Sequence, residues 1–98
     1  MGIKEWRAEI DVIDNELLRL INRRVRLAVR VGTVKRRAGL PLSDPDRERE
    51  VLARAQEINV GPLDDRAVAR IFRRIIHESR RVQSGSEETL EVAQEVLR

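Results

Sequence analysis

The chain has 98 residues, 38% of them charged and 41% hydrophobic, with one Trp, one Phe and no Tyr. That is enough for one small domain with an aliphatic core, which suits helix packing better than a β-sandwich. No cysteine is present, so disulfide and thiol chemistry are excluded, and a single His makes a metal site a poor expectation. The net charge of +3 favours anionic partners weakly. No apolar run approaches the roughly 20 residues of a membrane span, and no signal-peptide pattern opens the chain, so a cytoplasmic protein with no membrane partner is expected.

The first predicted element is a helix from about Ile3 to Arg37. Its apolar residues recur in alternating steps of three and four: Ile3, Trp6, Ile10, Ile13, Leu17, Leu20, Leu27, Val31, Val34 and Ala38. This is a heptad seam, the pattern of a helix buried along a partner. At about 1.5 Å per residue the helix is roughly 50 Å long, more than a compact monomer of this size can cover, so an oligomer is expected. The seam is broken at Arg24, a charge that is costly to bury unless something anionic meets it. Gly39 supplies a stop, and Lys35, Arg36 and Arg37 suit the negative end of the helix dipole.

The second helix is expected from Asp44, as N-cap, through Pro45 in the first turn to Ile58, with Val51, Leu52, Ala55 and Ile58 inward. After the turn Asn59-Val60-Gly61-Pro62, a third helix starts near Leu63 or Asp64. It carries Val68, Ile71, Phe72, Ile75 and Ile76 at helical spacing, a stripe that continues into Ser79, Val82 and Gln83. Ser84-Gly85-Ser86 breaks the pattern, and Glu87 to Arg98 reads as a short amphipathic helix, with capping of the pocket, continuation of the third helix and fraying all open to it. The expected organisation is therefore an all-α, three-helix domain over residues 1–85 followed by a helical tail over 86–98.

Polar residues stand on inward faces of all three helices: Arg24 and Lys35 on the first, Arg47 and Glu48 on the second, Ser79 and Gln83 on the third. Singly, each has an ordinary explanation, such as register specification, snorkelling or a surface ion pair. Jointly they predict a cationic, hydrogen-bonding pocket between helices. Arg7 shares the heptad position of Lys35 but lies roughly 42 Å away along the axis, too far to share a pocket within one chain. An antiparallel two-fold pair of first helices brings Arg7 of one chain to Lys35 of the other.

These residues resemble the all-α chorismate mutases. The resemblance rests on Trp6-Arg7-Ala8-Glu9-Ile10-Asp11, Ile13-Asp14, Leu17-Leu18, Arg23-Arg24 and Val29 to Lys35. Asp44-Pro45-Asp46-Arg47-Glu48-Arg49-Glu50 and Ile75-Ile76-His77-Glu78-Ser79 to Gln83 complete it, so that it covers about residues 3–84. It implies an intertwined homodimer and cofactor-free conversion of chorismate to prephenate in aromatic amino acid biosynthesis. Carried over, Arg24 and the partner's Arg7 bind the two substrate carboxylates, and Lys35 and Gln83 donate to the ether oxygen. Glu48, helped by backbone near Asp44, accepts the ring hydroxyl. Arg47 adds positive charge, and Ser79 adds a hydrogen bond. Isochorismate–pyruvate lyase is a related alternative. A basic helical dimer binding nucleic acid is an alternative of another class, with Arg30, Arg73, Arg80 and Arg81 among its outward candidates. These cations are interspersed with acids, so a nucleic-acid partner is not expected.

Overall fold

Helix α1 spans Ile3–Arg37, α2 spans Pro45–Ile58 and α3 spans Asp65–Leu97 in the computed structural model, which describes the backbone of residues 2–97 and the side chains of residues 2–85. Among the described residues there is no strand. The bounds of α1 and α2 are those that the caps and the periodicity predict.

Each terminus has a local cause. Gly39, at φ +72°, follows Ala38 at the end of α1. Its N–H donates to the Arg36 carbonyl and that of Leu40 to the Lys35 carbonyl, the paired bonds of a Schellman stop that only a residue without Cβ forms at no strain. Asp44 caps α2 by accepting from the Arg47 N–H at 3.0 Å. Asp64 does the same for α3, accepting from the Ala67 N–H at 2.7 Å, so the helix begins one residue later than expected.

At its far end the third helix runs through Ser84-Gly85-Ser86, where its apolar pattern breaks, to Leu97, so of the arrangements open to the tail the structure takes the one that continues α3. Its amphipathic stripe of Leu90, Ala93, Val96 and Leu97 lies outside the described side chains.

α3 packs against both α1 and α2. Among the described residues the buried apolar side chains are few: Val29 on α1, Ala55 on α2, and Val68 and Ala69 on α3. Two polar side chains are as deeply buried as these, Ser79 at 4% exposed and Gln83 at 7%. The face of α1 turned to α3 is not the apolar seam but the stripe beside it, which takes in the seam's one polar position, Arg24; on it Ile21, Arg24, Val25, Ala28, Val29 and Gly32 are partly or fully buried. The seam residues Leu27, Val31 and Val34 stay exposed, as does Ile58 of α2, which was expected inside.

Residues 2–20 are exposed throughout, and Ile3, Trp6, Ile10, Ile13, Leu17 and Leu20 form an uncovered apolar line. The molecule measures 56 × 32 × 15 Å with a radius of gyration of 17.2 Å, against about 13 Å for a compact chain of this length. The expected inability of one chain to cover its first helix is thus visible in its shape. Among the described residues no helix is long and apolar enough to cross a membrane.

Candidate functional site

The site is built on the second half of α1, where Lys35 lies three turns beyond Arg24 on the side facing α2 and α3. A cavity of about 280 Å³ opens between the three helices. α1 lines it with Arg24, Leu27, Ala28, Val31 and Lys35. The loop and α2 bring Leu42, Asp44, Arg47, Glu48 and Val51, and α3 brings Ile76, Ser79, Arg80 and Gln83. Seven of the eight residues singled out in the sequence therefore meet in one space. The eighth, Arg7, lies on the exposed half of α1 and is not among the lining residues.

The inventory of the cavity is cationic. Arg24, Lys35, Arg47 and Arg80 face only two acids, Asp44 and Glu48. Burial pushes the Arg24 guanidinium below its ordinary pKa, with nearby Arg47 adding to the effect, yet an arginine remains charged at neutral pH. Its Nη1 lies 3.5 Å from Ser79 Oγ, and that hydroxyl donates to the Ile75 carbonyl at 2.7 Å. Ser79 is thereby turned toward Arg24 with its proton already committed, so it offers an acceptor to the guanidinium. Lys35 Nζ stands 3.5 Å from Asp44 Oδ2. The Arg47 N–H beside Asp44 holds its carboxyl below the usual range, with Lys35 contributing. Arg47 extends its guanidinium to Glu50 at 2.6 Å, along the rim.

Gln83 is the most constrained donor. Its Nε2 donates to the Ala28 carbonyl at 2.7 Å, which fixes the amide orientation and leaves a second N–H for the cavity. The contact requires Gly32. A Cβ there would stand 2.5 Å from Gln83 Cγ and 2.6 Å from Cδ, and closer still to Nε2. In the sequence Gly32 stands within the Val29 to Lys35 segment that carries the resemblance, and nothing in the pattern of α1 ties it to a residue on α3.

Arg80 is the residue that the sequence assigned wrongly. Grouped with outward arginines, it instead lines the cavity and pairs with Glu48, Nη2 to Oε1 at 2.5 Å. The signal was present in its spacing: it lies one turn after Ile76 and just under one turn before Gln83, at the edge of the inward stripe. Among the described residues no group of His, Asp and Glu side chains is arranged to hold a metal ion.

The family model described as chorismate mutase type II matches residues 6–84. The chain belongs to that family. It is similar to the bifunctional chorismate mutase/prephenate dehydratase of Aquifex aeolicus, with 44% identity over 78 residues, covering 76% of this chain and 22% of that protein. The chain thus spans about a fifth of the length of that curated relative. Among solved structures, it is similar to chorismate mutase (form II) from Thermus thermophilus, at TM-score 0.82 and 35% identity over 84% of this chain and 93% of that one. It is also similar to chorismate mutase from Helicobacter pylori in complex with prephenate, at TM-score 0.81 and 28% identity over 88% and 93% of the two chains. The matched span stops just beyond Gln83, the last residue of the cavity.

Proposed function

We propose that this chain is a chorismate mutase, converting chorismate to prephenate in aromatic amino acid biosynthesis. The observation that carries the reading is the convergence of Arg24, Lys35, Glu48 and Gln83 on one cavity in a member of this family. The rearrangement is intramolecular and pericyclic. It needs no nucleophile or proton relay, only a compact chair-like conformer and stabilisation of negative charge building on the breaking ether oxygen. Arg24 holds one carboxylate through charge-assisted hydrogen bonds. Lys35 and the free N–H of Gln83 donate to the ether oxygen, Glu48 accepts the ring hydroxyl, and Arg47 raises the local positive potential.

The second carboxylate needs a further cation, and the partner's Arg7 supplies it in a two-fold homodimer. The exposed apolar line from Ile3 to Leu20 supports this assembly, because the chain itself leaves that length of helix without cover. Residues 1–85 make up the catalytic domain, since every lining residue of the cavity lies within them. A chain truncated after Gly85 is expected to keep its turnover.

The decisive experiment is to add the purified protein to chorismate and follow the loss of substrate absorbance, with the product identified as prephenate. Parallel reactions with isochorismate test for pyruvate and salicylate, the products of the related lyase. Absence of conversion of chorismate overturns the mutase reading.

A further inference from the structure

Glu48 is an acid with three side-chain torsions in the first turn of α2, and something must hold it if it is to meet a ligand in one orientation. Among the described residues its side chain has a single partner, Arg80 of α3. The two side chains are similarly half-buried, at 35% and 36% exposed, and theirs is the only ion pair among the described residues that joins α2 to α3. The pair also stands on a boundary. Glu48, Ile76 and Arg80 line both the site cavity and a second one of about 360 Å³ that reaches toward Leu52, Arg73 and His77.

A carboxylate has two oxygens, and the pair divides them. Oε1 is taken by the Arg80 guanidinium, which leaves Oε2 for a hydroxyl in the site cavity. Without Arg80, the carboxylate is free to turn toward the second cavity, which Arg73 and His77 line. An ion pair is weak evidence of stability, whereas the planar guanidinium fork constrains the orientation of the carboxylate it meets.

We propose that Arg80 is a positioning residue: it acts through Glu48, holding one carboxylate oxygen toward the ring hydroxyl of the substrate, and so sets the preference for a hydroxylated ring. This rests on the mutase reading above. A residue that merely ties α2 to α3 affects all substrates alike, whereas one that aims Glu48 acts through the hydroxyl alone. The discriminating quantity is therefore the ratio of kcat/KM for chorismate to kcat/KM for chorismate lacking its ring hydroxyl.

In the full-length protein, Arg80→Gln is expected to lower that ratio by roughly tenfold, the scale of one hydrogen bond to a charged group. The loss falls on chorismate while the deoxy substrate is converted nearly as before. Arg80→Lys, which keeps a cationic donor within reach, restores most of the ratio, and Arg80→Met, which keeps the stem without the charge, is expected to lower it as Arg80→Gln does and serves as the second variant should Arg80→Gln fold poorly. An unchanged ratio in Arg80→Gln, whether both rates hold or both fall together, overturns the proposal. Wild-type protein that converts neither substrate overturns the mutase reading itself, and the inference with it, so the two failures are told apart by the wild-type control.

Discussion

The side chain of Gln83 lies across the backbone of Gly32, its amide nitrogen bonded to the Ala28 carbonyl one turn earlier on α1. A donor on the third helix is thus placed by a missing side chain on the first. Gly32→Ala puts a methyl group where the Gln83 side chain runs, at 2.5 Å from Cγ and 2.6 Å from Cδ. Alanine gains about 0.5–1 kcal/mol of helix propensity over glycine, which offsets part of the clash and keeps the variant helical. Its kcat is expected to fall about 100-fold, the lower end of the range for loss of one preorganised donor, with a smaller change in KM. Steady-state kinetics beside a circular-dichroism melt check this, and adding Gln83→Ala to the Gly32→Ala variant should cost little more.

The same hydrogen bond makes Gln83 a pH-independent donor, because an amide has no proton to lose in the physiological range. Turnover of the wild type is expected to stay nearly flat between about pH 5 and 8, above the unperturbed carboxylate range. In Gln83→Glu only the protonated acid can donate to either the Ala28 carbonyl or the cavity. Ionisation sets a carboxylate oxygen against a carbonyl oxygen. Activity of that variant should therefore fall as pH rises, and a pH–rate profile as flat as the wild type's would contradict the role given to Gln83.

Arg7 and Lys35 stand far apart on one straight helix, so a site that uses both must draw them from two chains. In a two-fold dimer, Arg7→Ala and Lys35→Ala chains are each expected to lose most of their activity. When they are mixed and allowed to exchange, each heterodimer contains one intact pocket and one doubly defective pocket. Random exchange should restore about a quarter of wild-type turnover. Mixtures no more active than their parents would mean that Arg7 does not serve the partner's site.

Asp44 links stability to acid. Its folded-state pKa is depressed, chiefly by the Arg47 N–H and further by Lys35, so its contribution is present above the unfolded value of about 3.9 and is lost as pH falls through the lower folded one. Asp44→Ala removes a helix cap and is expected to lower stability at neutral pH. The difference between wild type and variant should shrink below about pH 4 as wild-type Asp44 takes up its proton. Urea melts at several pH values measure it.

Much of this was legible in the sequence because the signals are local. Asp44-Pro45 and Gly39 punctuate the chain through bonds to residues three to five positions away, and the bounds of α1 and α2 follow. Arg24 and Gln83 were legible as polar residues on apolar stripes. What was not legible depends on how one helix is rotated against another. The heptad seam of α1 ranks Leu27 and Val31 above Val29 and Gly32, yet α3 packs on the latter pair. That rotation buries Gly32 against Gln83. Arg80 was misread for the same reason, since one step around α3 separates an outward arginine from one in the cavity. The break expected at Ser84-Gly85-Ser86 rested on composition alone, and a helix tolerates one glycine between residues that can form its bonds.

The short loop after α1 has its two ends fastened to a single residue. The Lys35 carbonyl accepts from the Leu40 N–H at 2.8 Å, while the Lys35 ammonium reaches Asp44 at 3.5 Å. Surface loops ordinarily accept inserted residues at small thermodynamic cost, because closure entropy grows only logarithmically with length. Here the segment from Leu40 to Ser43 works as a spacer of fixed length between a lysine and the carboxylate that steadies it. Lengthening it leaves the helices free to form and yet uncouples the ammonium from its anchor. An insertion between Leu40 and Ser43 is therefore expected to spare folding far more than turnover.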